Sequence, residues 1–316
     1  MKFFQSISYC YNNLSISGKL LILICIFLFF VVFFKMINRQ IKLKEGYSNN
    51  NNDNSPHITF KEGNDIYDDF YSDIYDHLVY NKSKNIYEIK NIIKTTNMNN
   101  ESIILDIGCG TGHHIKELAD ANLNAVGVDI SPSMINVAKT EYPSLEFKTG
   151  DALDSSLFPN SSLTHVLCLY FTIYYFKDKR YFFDNCMEWL MPGGYLIVHL
   201  VDREHFDPIL PPGNPLYLVS PQKYAKDRIT HTKVTFTDFV YKSNFKLDTN
   251  NNLATFDEKF KFNNGKIRKQ QQQLHMDDTS VIVNIAQECG FILKGKIDLV
   301  KCAYENQFLY IFVKPS

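Results

Sequence analysis

The chain has 316 residues, a net charge of −1 and seven cysteines. A near-neutral charge with no basic stripe between aromatic residues gives no electrostatic footprint for nucleic acid, so no nucleic-acid partner is expected. The cysteines are odd in number, scattered and without a C-x-x-C pair, which argues against a disulfide framework and a metal site and fits a reducing compartment.

The first element in chain order is an apolar run of 15 uninterrupted residues, 20–34. Extended to Ile37 across Lys35, it makes about 27 Å of helix, enough for a thin bilayer. It lies behind 19 residues and no small-residue cleavage site follows it, so a signal peptide is disfavoured. The sequence predicts a single-pass transmembrane anchor at about 20–37 within an amino-terminal segment 1–44. Lys35, Arg39, Lys42 and Lys44 after the span predict that the rest of the chain is cytosolic. An Asn-rich linker is expected at 45–60 and a folded domain at 61–316.

Within that domain, residues 65–93 carry Tyr67, Phe70, Tyr71, Ile74 and Tyr75 at helical steps, which makes one aromatic face. An apolar strand at 103–107 then runs into Gly108, Gly110 and Gly112, with Asp106 just upstream. A second strand, 124–128, ends in Asp129, 17 residues past Gly112, and Ser131-Pro132 opens the next helix. A third, 145–149, is followed by Gly150-Asp151-Ala152. Further strands are expected at 163–170 and 194–201, with a helix at 178–190 whose Phe182, Phe183, Cys186 and Trp189 turn inward. Residues 214–217 read as loop. Alternation over 233–267 predicts three or four antiparallel strands, and Gln270 to Gln273 an exposed turn. A helix at 278–289 and a terminal hairpin ending at 307–313 complete the chain.

The glycine spacing is G-x-G-x-G, whereas the dinucleotide fingerprint is G-x-G-x-x-G. Together with Asp106, Asp129 and Asp151, each near a strand's carboxyl end, it resembles the class I S-adenosylmethionine-dependent methyltransferase family of the small-molecule type. The resemblance implies an α/β fold, a Rossmann-like doubly wound seven-stranded sheet with an antiparallel β lid insert, here preceded by the transmembrane helix. It assigns the core to 100–202, the lid to about 203–275 and the last helix and hairpin to 276–316.

S-adenosyl-L-methionine is the implied cofactor. The resemblance sets Asp106, Gly108, Cys109, Gly110 and Gly112 along it, with Leu169 nearby. It gives the ribose hydroxyls to Asp129, the adenine to Ile130, Asp151 and Ala152, and an acceptor pocket to Tyr67, Tyr71, Tyr170, Tyr174 and His199. Proton-accepting candidates are His199 and His275, with Asp202, His205 and His231 also near the expected pocket mouth. The expected acceptor is a small molecule or a membrane lipid. Methylation of a protein or RNA near the membrane, or a scaffold that binds the cofactor without turnover, are the alternatives.

Overall fold

The computed structural model describes residues 58–213 and 220–316, together with 15, 17–19, 24 and 27–29 of the amino-terminal segment. The chain divides into two units, Met1–Ser55 and Pro56–Ser316. Most of the span expected at 20–37, and the loop at 214–217, lie outside the described residues. Among the described residues no helix is long and apolar enough to cross a membrane.

The second unit opens with β1 (Ile58–Glu62), so the last residues assigned to the linker are strand. Where one helix is expected over 65–93, there are two, α1 (Asp69–Val79) and α2 (Lys82–Thr96). Each starts at its own cap, since Asp68 Oδ1 accepts the Tyr71 N–H and Asn81 Oδ1 accepts the Lys84 N–H. The glycine motif joins β2 (Ile104–Ile107) to α3 (His113–Asp120). Next come β3 (Ala125–Asp129), α4 (Pro132–Glu141), β4 (Glu146–Thr149), β5 (Leu163–Cys168), α5 (Lys179–Trp189) and β6 (Leu190–Val201). The insert supplies β7 (His231–Thr235), β8 (Phe239–Asp248), β9 (Leu253–Phe262) and β10 (Ile267–His275), and α6 (Thr279–Glu288), β11 (Ile292–Asp298) and β12 (Gln307–Val313) close the unit.

Seven strands form one sheet in the order β11-β12-β6-β5-β2-β3-β4. The five from β6 to β4 run parallel; at the other edge β12 pairs antiparallel with β6, and β11 antiparallel with β12. Every residue of β2 is buried, as expected for a central parallel strand covered on both faces. Phe182, Phe183, Cys186 and Trp189 of α5 are buried against this sheet. From β2 the chain passes to β3 on one side, whereas β5 lies on the other, so the topological switch point is between β2 and β5.

A second sheet of five strands has the order β1-β10-β9-β8-β7. It differs from the purely antiparallel insert expected from the sequence, because β1 joins its edge parallel to β10. The glutamine run is not a turn. Gln270 and Gln272 lie in β10 and are buried, while Gln271 between them faces the other way.

Candidate active site

A cavity of about 370 Å³ opens at the switch point, between the carboxyl ends of β2, β3, β4 and β5 on one side and α1 with the second sheet on the other. On the first side, Gly108 and Cys109 donate their N–H groups to the Val128 carbonyl at 2.7 and 3.0 Å, which curls the loop over β3. Gly108 has φ +69°, and a Cβ there would meet Thr172 Oγ1 at 2.5 Å. Gly110, at φ +55°, has only Tyr75 near its Cβ direction, at 3.7 Å, so its backbone faces the cavity.

Asp129 ends β3 with both carboxylate oxygens fixed: Oδ2 accepts the Gly110 N–H and Oδ1 the Ser131 N–H, each at 2.9 Å. Burial raises its pKa, and these two hydrogen bonds pull the other way. Each oxygen keeps acceptor capacity. Asp106 is buried below the loop with neither oxygen hydrogen-bonded. Burial pushes it up to about 7; His114, with Nδ1 4.0 Å away, opposes this, and Asp129 and Glu88 add to it.

Of the residues singled out from the sequence, Gly108, Gly110, Asp129, Ile130, Asp151 and Ala152 line the cavity, as do Tyr67, Tyr71 and Tyr170. The others lie outside the lining, Asp106 beneath the glycine loop among them. Gly112 lies outside the lining as the cap of α3, where a Cβ would strike Phe147 at 2.7 Å. Cys109 and Leu169 are packed into the apolar core below. Tyr174 is wholly buried and its hydroxyl accepts the Val201 N–H at 2.8 Å; the neighbouring Tyr175 takes the cavity wall instead.

Neither leading histidine reaches the cavity. His199 is buried in β6, with Nδ1 against the Tyr170 carbonyl and Nε2 3.1 Å from Gln307 Oε1, and burial lowers its pKa to about 4. His275, at the end of β10, is absent from the lining, and burial also lowers its pKa. Asp202 and His205 pair with each other outside the lining, and His231 lies on β7. Among the described residues no Lys, Arg or His lines the cavity.

Residues that the motifs did not reveal complete the opposite wall. Gln272 of β10 lines it together with Tyr175 and Tyr67, whose hydroxyls are 2.6 Å apart. Alternation within β10 is the one sequence signal that could have turned Gln272 inward. Asp76 of α1 accepts from Thr111 Oγ1 at 2.6 Å and lies 2.7 Å from His113 Nε2, so the helix is held to the end of the glycine loop. At its other end, both carboxylate oxygens of Asp68 accept from Arg268 Nη1 on β10 at 2.8 Å, besides the Tyr71 N–H that Oδ1 caps. The aromatic helix is thereby tied to both walls.

Comparison with known proteins agrees with this geometry. Residues 104–194 match the family described as "Methyltransferase domain". A dTDP-4-amino-2,3,4,6-tetradeoxy-D-glucose N,N-dimethyltransferase of Saccharopolyspora spinosa is 26% identical over 147 residues, which are 44% of this chain and 58% of that relative. The chain thus spans less than two thirds of that curated relative. Among solved structures, an S-adenosylmethionine-dependent methyltransferase from Clostridium acetobutylicum has a TM-score of 0.59 at 16% identity, covering 78% of this chain and 98% of its own. An S-adenosylmethionine-bound amino pentose methyltransferase from Micromonospora echinaspora has a TM-score of 0.53 at 16% identity, covering 74% and 92%. These likenesses establish the fold.

Proposed function

We propose that this chain, whose residues 104–194 are a class I S-adenosylmethionine-dependent methyltransferase domain, transfers a methyl group from that cofactor to a small-molecule acceptor. The observation that carries the reading is Asp129, a buried carboxylate held at the end of β3 by two backbone N–H groups and facing the cavity. The residues present fit the cofactor. Gly110 presents bare backbone to the cavity, Asp129 keeps lone pairs for two ribose hydroxyls, and Asp106, beneath the glycine loop and outside the lining, has two buried oxygens without a hydrogen-bond partner, His114 Nδ1 lying 4.0 Å away. Asp151 and Ile130 in the same lining would hold the adenine by its amino group and its face.

When bound, S-adenosylmethionine supplies an electrophilic methyl on a positively charged sulfur. The protein's own part is alignment and exclusion of water. Tyr67, just before α1, and Tyr71 and Tyr75 on it cover the cavity, and Phe245 and Phe256 of the second sheet close it from the other side. With no histidine in the described lining, the acceptor's nucleophilic atom is positioned rather than deprotonated by a neighbouring imidazole.

A small polar or amphipathic acceptor is supported by the enclosed aromatic lining and by the relative whose name specifies an amino sugar as its substrate. A membrane lipid is the second acceptor class, favoured by the 15-residue apolar run at 20–34. In this proposal the run anchors the chain, the catalytic unit is cytosolic, and the tether raises the local concentration of a membrane-dissolved acceptor. Carbonate extraction of membranes from expressing cells tests the anchor: retention in the pellet supports it and release into the supernatant overturns it. Calorimetric titration with S-adenosylmethionine tests the activity's premise. Binding in the micromolar range that Asp129→Ala abolishes supports the reading, and no binding by the folded chain overturns it.

A further inference from the structure

Behind the acceptor side of the cavity lies a buried carboxylate that the reaction above does not use. Glu258, on β9, is 2% exposed, and its partners are neutral side chains. Four side chains donate to it: Tyr71 at 3.0 Å, Tyr241 at 2.7 Å, Gln270 at 2.7 Å and Gln272 at 2.8 Å. These fill the acceptor capacity of an ionised carboxylate. Burial raises its pKa and the four donors oppose the rise.

This arrangement fixes the direction of the hydrogen bonds in front of it. Gln272 turns its NH2 inward to Glu258 Oε2, where it also donates to Tyr71 Oη at 3.2 Å, the orientation that the ionised, accepting form of Glu258 holds. Gln272 Oε1 is then left facing Tyr175, whose hydroxyl donates to it, and Tyr67, 3.5 Å away. The Tyr67 and Tyr175 hydroxyls, 2.6 Å apart, therefore have sinks for both protons inside the network. Turning either proton toward the cavity would leave the short Tyr67–Tyr175 contact or the Gln272 carbonyl without its donor, at the cost of about one hydrogen bond. What the pair offers the cavity is oxygen lone pairs.

The rest of the lining has the same polarity. Its charged members among the described residues are all acidic: Asp129 and Asp151, given to the cofactor above, and Asp207, which accepts from Ser220, Gln222 and the Ile209 N–H. Such a wall repels carboxylates and phosphates and accepts N–H groups. We propose that the Glu258-oriented pair Tyr67–Tyr175 selects an uncharged amine as the methyl acceptor, Gln272 and Glu258 being positioning residues. The inference rests on the methyl-transfer reading above.

An amine suits this wall better than an alcohol. Its N–H bonds are held by the tyrosine oxygens while its single lone pair stays free for in-line attack. As the N–C bond forms, the C–S bond breaks and its electron pair returns to sulfur, giving the neutral thioether. Nitrogen keeps its protons and becomes an ammonium, which sheds one proton to water after release. No base is required before attack, and the lining holds no histidine to act as one. The tyrosine faces around the cavity stabilise the cationic product.

The test uses the full chain and S-adenosylhomocysteine, with aniline, N,N-dimethylaniline and benzoate as ring probes read by saturation-transfer NMR and by competition. Aniline is expected to bind more tightly than N,N-dimethylaniline despite its smaller apolar area, and benzoate not to compete. Gln272→Leu removes the sink for the tyrosine protons and should cut the aniline preference by about 3- to 10-fold, the equivalent of one hydrogen bond. Glu258→Gln should do the same by letting the amides reverse; if that variant fails to unfold cooperatively, Gln272→Leu decides alone. Benzoate competing as well as aniline, or a folded Gln272→Leu with an unchanged preference, overturns the proposal. Cofactor binding is read on the same samples. Its loss in the wild-type chain would overturn the underlying reading, whereas retained binding without an amine preference overturns only this one.

Discussion

Along one side of the cavity, at the ends of β2 and β3, the polar groups are held by backbone: Asp129 by the Gly110 and Ser131 N–H groups, and the glycine loop by the Val128 carbonyl. On the other side, across α1, β8, β9 and β10, they are held by one another's side chains, with Glu258 at the centre. The first arrangement ties each group to atoms that every sequence supplies, so few residue types are needed. The second depends on several particular side chains brought together from distant segments, and any one change redirects the rest. The first kind suits a ligand that does not vary, the second a ligand that has to be chosen.

The largest effect expected on the backbone-held wall is Asp129→Ala. Losing two charge-assisted acceptors should weaken S-adenosylmethionine by about 100-fold or more in a calorimetric titration, with thermal unfolding to check the fold. A loss below tenfold would mean that this wall does not bind the ribose. Gly108→Ala attacks the same wall through its backbone: φ is +69° and the new Cβ would lie 2.5 Å from Thr172 Oγ1. Destabilisation of about 3 kcal/mol is expected in urea unfolding, and an unchanged midpoint would remove the steric argument.

His199 sharpens the comparison from below the cavity. Its pKa is about 4 in the folded chain and near 6.5 when unfolded, so the unfolded chain binds the extra proton between those values. Stability from the neutral ring is fully present above about pH 6.5, falls as the pH drops, and levels off below about 4. Asp106, raised to about 7, acts in the opposite sense, losing stability as pH rises from its unfolded value toward 7. The difference curve between wild type and His199→Gln therefore isolates the histidine. It should change on the order of 3 kcal/mol across that window, while methyl transfer keeps its pH profile; a shifted profile would return His199 to the chemistry.

The smallest effect is expected from Arg268→Gln, which removes the tie between β10 and Asp68 at the start of α1. A loss of about 1–2 kcal/mol is expected, because Asp68 is partly exposed and keeps Lys61 nearby at 3.5 Å. Amide exchange in α1 should rise more than exchange in β2, since the arginine joins the helix to the second sheet only. Equal changes in both would mean that the walls unfold as one.

The sequence by itself determined the backbone-held wall. Glycine spacing, a strand's continuous apolar run and an acid at the next strand's end are local patterns, because each reflects a turn or a burial decided within about ten residues. It also set the order of the main strands and the inward face of α5. Tertiary structure decided what depends on partners far along the chain. The break between α1 and α2 was obscured by an aromatic stripe that continues past Tyr75 with apolar residues in helical steps, and β1 was hidden in an Asn-rich stretch because its partner, β10, lies more than 200 residues away. Gln272, Tyr175 and Glu258 carry no motif. A glutamine run reads as solvent-facing until a neighbouring strand supplies a buried carboxylate, and which of Tyr174 and Tyr175 faces the cavity follows from the Val201 N–H that captures the first. Hydrogen bonds between side chains depend on distance in space, and that distance is set only when both sheets have packed.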